Sequence, residues 1–519
     1  MPTTWRHIII GIIGLALLLA GVPALAQEGE IMLVAYTSEA FGVQGVQPEG
    51  WAQAAPGVLR RGSSATDVVV IAQQAAPINQ EQLLTALLPQ LGLTEAPEAV
   101  DSLEANGLTW SVYKIEVAAG GMTIVVDMAL AQGDGKSYVI LLQAEAAEYD
   151  ALHEAVFLPV LNALVPLSAT STLPADAPYT EEEVTFDNGD VTLAGTLTLP
   201  TGAGPHPAVV LITGSGAQDR NETLAPVSEL QAFKLIADAL ARAGIAVLRY
   251  DDRGVGQSTG VYEGSNLTDF AGDADAAVRF LLVREDINPT QVGLIGHSEG
   301  AIVAPMVALQ DPDVAFIVSL AGTAVRGLDV LTEQEIDAMI AEGLSDEQIN
   351  DKKALQAVLM PLIDAGDWDA VTALLPDLIR EQVAGLSADE QAALGDLDTL
   401  IEKQIEDSLA IYQSAWYQQF IHHNPADDWA QITIPVLGVF GSVDFQVSAA
   451  VNAPAMDAAL TQAVNPDFEI VTIPGMNHLL QQAETGSMSE YGTLEPVLHP
   501  DLMPAVIDWL LARVTVAGE

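Results

Sequence analysis

From residue 183 onward, short apolar runs alternate with helical spacing, and this most constrains what the chain can fold into. Residues 208–213 (AVVLIT), 246–250 (AVLRY), 291–296 (QVGLIG), 314–320 (VAFIVSL) and 436–440 (VLGVF) are too short for helices and mostly apolar. A strand whose every side chain is apolar must be covered on both faces, as in a parallel sheet flanked by helices. Amphipathic stretches at 228–243, 268–282, 300–309, 449–460 and 503–514 fall between or after such runs. Residues 192–199 alternate instead, as an antiparallel strand does, and 469–473 reads as a last strand. The expectation is an α/β domain over 183–519 with a mostly parallel central sheet.

Between the strands at 314–320 and 436–440 lies a long helical insertion at about 328–429. It carries 22 acidic and four basic residues. An insertion of this length with helices of its own predicts a cap over the mouth of the sheet.

The preceding chain reads differently. Residues 67–73, 109–117, 122–130 and 137–143 have strand character, with Gly133, Asp134 and Gly135 as a hairpin turn, and 80–91 and 149–164 have helical spacing. Residues 27–168 are therefore expected to form a small α+β domain around one antiparallel sheet. A linker rich in Ser, Thr, Ala and Pro follows at 169–182. Arg6 and His7 precede an apolar run at 8–19, and Ala24-Leu25-Ala26 follows, the pattern of a secretory signal at 1–26 cleaved before Gln27. The expectation is export to the periplasm or medium, with no stable membrane insertion after cleavage; an uncleaved anchor is the alternative.

Composition narrows the chemistry. Acids outnumber bases 70 to 18, for a formal charge of −52, so a nucleic-acid partner is not expected. Half of the residues are hydrophobic, which excludes global disorder. With no cysteine there is no disulfide, thiolate zinc site or cysteine nucleophile.

The catalytic signals lie at predicted strand ends. Gly296-His297-Ser298-Glu299-Gly300 follows the strand at 291–296 and opens a helix, the context in which G-x-S-x-G exposes a serine hydroxyl on a sharp turn. Serine needs a base. Of eight histidines, His478 is the candidate because it sits in a loop just past a late strand, with His499 in reserve. Asp444, directly after the strand VLGVF, is the candidate to orient that base. The oxyanion is expected to meet the backbone amides of Glu299 and of the turn at 213–216, Ser215 first and Gly216 second.

TGSGAQDRN, AVLRYDDRGVGQSTG, GHSEG, SLAGTA, FGSVDFQV and PGMNHLLQ, together with the tail TGSMSEYGTLEPVLHPDLMPAVIDWL, resemble the α/β-hydrolase superfamily and, within it, bacterial serine esterases. The resemblance implies an α/β-hydrolase fold with a helical cap and hydrolysis of carboxylic esters through an acyl-enzyme, with no cofactor and no metal. Thr213 stands where many relatives have histidine, and Ala301 where they often have glycine. Arg253 reads as structural, pairing a nearby acid. Thioesterase, acyltransferase and peptidase activity remain alternatives, although the acidic cap disfavours anionic acyl carriers and points to small or medium neutral esters. FGVQGVQPEGWAQAAPGV and DVVVIAQ resemble the PsbP-like family of small exported domains; because this segment offers only His153 and no nucleophile motif, it reads as a spacer or a module that docks an unknown partner.

Overall fold

The computed structural model describes residues 31–516, apart from residues 39, 62–67, 92, 94, 120–121, 134, 168–175, 225–226 and 385–396. The signal reading, the turn residue Asp134 and much of the linker lie outside the described residues. Among those described, no helix is long and apolar enough to cross a membrane.

Two bodies of secondary structure follow one another. In the first, β3 (Ala52–Ala55), β4 (Val58–Arg60), β5 (Val70–Ala76), β6 (Asp101–Ala105), β7 (Leu108–Ala119), β8 (Met122–Gly133) and β9 (Lys136–Glu145) form an antiparallel sheet in the order β3-β4-β5-β9-β8-β7-β6. Its centre is covered twice. Tyr138, Ile140 and Leu142 of β9 pack with Phe157 and Leu161 of the helical stretch at 149–163, and Val139 and Leu141 pack with Leu83 and Leu87 of α1 (Gln80–Leu87). A capping box between Asn79 and Gln82 starts α1. The single sheet expected from sequence is joined by a second, three-stranded one, β1 (Leu33–Ser38), β2 (Val43–Pro48) and β10 (Val165–Pro166). β1 continues an apolar run at 31–36 that could have marked it, whereas β2 and β10 are short and half exposed and lack one.

The second body holds an eight-stranded sheet in the order β11-β12-β14-β13-β15-β16-β17-β18. Its strands are β11 (Tyr179–Asn188), β12 (Val191–Pro200), β13 (His206–Ile212), β14 (Ala246–Tyr250), β15 (Ile287–His297), β16 (Ile317–Leu320), β17 (Val436–Gly441) and β18 (Phe468–Ile473). β11 and β12 are antiparallel to their neighbours, and the pairings from β14 through β18 are parallel. This body thus begins at Tyr179, inside the expected linker. β11 (YTEEEVTFDN) is an edge strand whose glutamates hide its alternation, and such charges blunt the open edge.

Helices α2 (Ala232–Arg242), α3 (Leu267–Leu282) and α4 (Gly300–Gln310) cross between strands. The insertion between β16 and β17 is helical: α5 (Gly327–Ala341), α6 (Asp346–Asp364), α7 (Trp368–Ala384), α8 (Leu397–Tyr412), α9 (Ala415–His422) and α10 (Pro425–Trp429). Its buried side chains, Leu359, Ile363, Leu375, Tyr417 and Phe420 among them, continue the core under α3 and α4. Helices α11 (Ala449–Gln462) and α12 (Leu502–Leu511) complete the fold. The two bodies touch where the loop after β14 meets the first domain: Gly256 donates to the Pro77 carbonyl at 3.1 Å and Gln82 to Glu263 at 3.2 Å.

Candidate active site

β15 ends at His297 and α4 starts at Gly300, so the chain turns from strand to helix within two residues. Ser298 takes φ +52°, a left-handed conformation that a side-chain-bearing residue adopts only under constraint. The constraint is packing. A Cβ on Gly296 would lie 2.2 Å from the Gly300 carbonyl oxygen, and one on Gly300 would lie 2.1 Å from that of Ile212. Glycine is required at both positions.

Ser298 Oγ lies 3.1 Å from His478 Nε2, and His478 Nδ1 lies 2.9 Å from Asp444 Oδ2. The other Asp444 oxygen accepts the backbone N–H groups of Gln446 and Val447, both at 2.8 Å. A proton on Nδ1 facing the carboxylate leaves Nε2 free to accept from serine. Asp444 is fully buried and His478 nearly so. The three side chains that the sequence singled out are thus brought into one hydrogen-bonded row from the ends of β15, β17 and β18. His499 is not part of it. Its Nδ1 accepts the Asp501 amide at the start of α12.

The turn at 213–216 runs beside Ser298, since a Cβ on Gly214 would lie 3.3 Å from that of Ser298. The Gly214 amide donates to Glu222 Oε1 at 2.9 Å and the Gly216 amide to the Tyr262 hydroxyl at 2.9 Å. Gly216, the second oxyanion candidate, is therefore engaged elsewhere, because the loop after β14 brings a phenol against it. The Ser215 and Glu299 amides donate to no protein acceptor among the described contacts.

Acidic side chains crowd this region. Burial raises the Glu299 carboxyl from 4.5 to about 7, although the Trp416 indole N–H of α9 donates to it. Burial also pushes Asp252 well above the usual carboxylate range, against the Gln218 amide and Thr213 hydroxyl that donate to it. Thr213, the departure noted from sequence, thus anchors the turn through Asp252. Arg253 pairs with Asp273 at 2.7 Å, as a structural role requires. Thr213, Gly214, Asp252, Tyr262 and Glu299 line a cavity of about 10 Å³, room for roughly one water. Among the described residues no group of three or more His, Asp or Glu is arranged to hold a metal.

Glu222, Tyr262 and Trp416 carried no sequence signal of their own. Each reaches the site from a loop or inserted helix whose path is set by tertiary packing. His297 could have been flagged by its place inside the elbow.

A strand–serine–helix elbow under a row of histidine and aspartate, on a sheet of this order, is the arrangement of the α/β-hydrolase fold, which the second body of this chain adopts. Residues 227–344 match the family model described as serine aminopeptidase, S33. Esterase EstD of Thermotoga maritima is 29% identical over 275 residues, covering 52% of this chain and 55% of the relative. An uncharacterized protein of Mycobacterium tuberculosis is 34% identical over 151 residues, 29% of this chain and 47% of the relative. The chain thus spans about half the length of the curated relatives it matches. Among solved structures, the Pyrococcus furiosus esterase Pf2001 aligns at 15% identity with TM-score 0.38, over 65% of this chain and 92% of that one.

Proposed function

We propose that this chain is a serine hydrolase that cleaves carboxylic esters through an acyl-enzyme, with Ser298 as nucleophile, His478 as base and Asp444 as its orienting carboxylate. The observation that carries the reading is the row Asp444–His478–Ser298, at 2.9 and 3.1 Å, with the serine on a left-handed turn. His478 Nε2 takes the serine proton as Oγ attacks the ester carbonyl. The Glu299 and Ser215 amides, which have no other acceptor among the described contacts, receive the oxyanion. Imidazolium then protonates the leaving alcohol, and water attacks the acyl-enzyme with His478 again as base. The cap sets the space left for the acyl group, and its charge favours small or medium neutral esters.

The similarity to Esterase EstD supports ester hydrolysis. The family description, serine aminopeptidase, favours a second reading in which the same residues cleave an amide bond. Incubating the mature protein with p-nitrophenyl esters of graded chain length and with amino-acid p-nitroanilides separates the two. Ester turnover with no anilide turnover is expected, and failure of a fluorophosphonate probe to label Ser298 would refute both. We also read residues 1–26 as an export signal, which N-terminal sequencing of the exported protein tests: it should begin at Gln27.

A further inference from the structure

A second histidine–carboxylate pair lies directly behind the first. His297 precedes Ser298, and its side chain is 5% exposed; that of Glu222 is 2% exposed. His297 Nδ1 lies 2.8 Å from Glu222 Oε1, and its Nε2 lies 2.9 Å from the backbone carbonyl oxygen of His478. A carbonyl oxygen can only accept, so Nε2 carries a proton. Glu222 Oε1 already accepts the Gly214 amide at 2.9 Å, so an ionised Glu222 demands a proton on Nδ1 as well.

The backbone is bent to make this contact: Glu222 sits at φ +50°. Its neighbours converge on one point. A Cβ on Gly214 would lie 3.3 Å from that of Ser298, 3.4 Å from Glu222 Oε1 and 3.6 Å from His297 Nδ1. The groups facing His297 are Glu222 from the loop after β13, His478 from the loop after β18, its ring centroid 5.1 Å away, and Asp444 beyond it after β17. Burial, the largest single influence, works against a charge on His297, but Glu222, the His478 carbonyl and Asp444 together raise the basicity of the ring.

We propose that Glu222 holds His297 as an imidazolium, and that this buried pair is a positioning strut that ties the loop carrying His478 and the turn carrying Ser215 to the residue before the nucleophile. One Nε2–H grips the loop of the base through its carbonyl. One carboxylate oxygen grips the oxyanion turn through the Gly214 amide. Nucleophile, base and one oxyanion donor thereby share a single anchor, and neither His297 nor Glu222 touches the reacting atoms. The role assigned to the strut rests on the serine-hydrolase reading, whereas its charge state does not.

The test uses the full chain with ¹⁵N-labelled histidine, His297 being assigned by its loss in His297→Gln. At pH 8, where exposed histidines are neutral, both His297 ring nitrogens are expected to be protonated. A neutral, single-tautomer ring at that pH overturns the proposal. Glu222→Gln keeps the shape and removes the charge. It is expected to abolish the imidazolium signature and to lower kcat on a p-nitrophenyl ester on the order of 100-fold, as a small misplacement of catalytic groups does, with KM unchanged. An unchanged kcat overturns the positioning role. Fluorophosphonate labelling of Ser298 in the unsubstituted protein is scored separately: its failure sinks the hydrolase reading, while the ring-nitrogen spectrum still decides the charge on His297.

Discussion

The first domain contains a histidine–aspartate pair nearly identical in geometry to the one at the candidate active site. His153 Nδ1 lies 2.7 Å from Asp127 Oδ2, against 2.9 Å for His478 and Asp444. Both aspartates are buried. The second Asp127 oxygen accepts the Tyr149 hydroxyl at 2.8 Å, whereas the second Asp444 oxygen is fixed by two backbone amides. His153 is 26% exposed and stacks on Phe157, and among the described contacts no serine or threonine reaches its Nε2. His478 is enclosed and faces a serine on a strained turn. An oriented imidazole is thus common to both regions. What differs is a serine hydroxyl aimed at it and the burial of the ring, 6% exposed in His478 against 26% in His153.

The comparison can be broken where it is sharpest. Ser298→Ala should lower kcat/KM for p-nitrophenyl butyrate by about 10⁶-fold, the scale seen for loss of a nucleophile that acts as part of a unit. His153→Ala should leave it unchanged. Equal losses in the two variants would mean that the first domain takes part in the chemistry. Next, Asp444→Asn should cost about 10⁴-fold in kcat by disturbing the tautomer of His478, with Asp127→Asn reducing thermal stability but not turnover.

A smaller effect separates the two sites by pH. The Glu299 carboxyl is raised from 4.5 to about 7. With its folded value above its unfolded one, its contribution to stability is fully present below about 4.5 and is lost as pH rises through about 7. Each tenfold change in a protonation equilibrium is worth about 1.4 kcal/mol, so keeping this buried carboxylate charged at pH 8 costs roughly 3 kcal/mol. Glu299→Gln should therefore gain stability over the parent at pH 8 and none at pH 4, as read from denaturant midpoints at the two pH values. The smallest effect is expected at the cap. Trp416→Phe removes one donor to Glu299 and should cost about 1 kcal/mol, measured in the same way. A larger loss would show that the cap is held mainly at this point.

Much of the second domain was legible residue by residue. AVLRY is β14 to the residue, and the strand expected at 436–440 is β17 less one residue. These segments are buried on both faces and almost wholly apolar, so no other position suits them. Ser298 and Asp444 could be picked because each follows such a strand, and His478 because it lies in the loop just past the expected last strand. Legibility failed where a segment's character is not its own. The first four residues of β11, 179–182, read as the end of the linker, and its four acids hide its alternation until β12 pairs with it. β2 and β10 are too short and too exposed to announce a sheet, so the apolar run at 31–36 that holds β1 has no visible partner. Gly216 reads as a free amide donor in a glycine-rich turn, and only the approach of Tyr262 removes it.

The amino-acid sequence by itself determined the order of the buried strands and their helices in the second domain, the glycines that permit the turn at Ser298 and the types of residue at the strand ends. These follow from local pattern and from backbone sterics within a few residues. Tertiary structure alone decided that Glu222, 75 residues before His297, lies against its ring. It also decided that Trp416 of the insertion reaches Glu299, and that the pair His478–Asp444, not His153–Asp127, faces a serine. The reason is physical. Hydrogen bonds and desolvation act over a few ångströms in space, and which groups fall within that distance is settled only when the sheet, its loops and the cap have packed together.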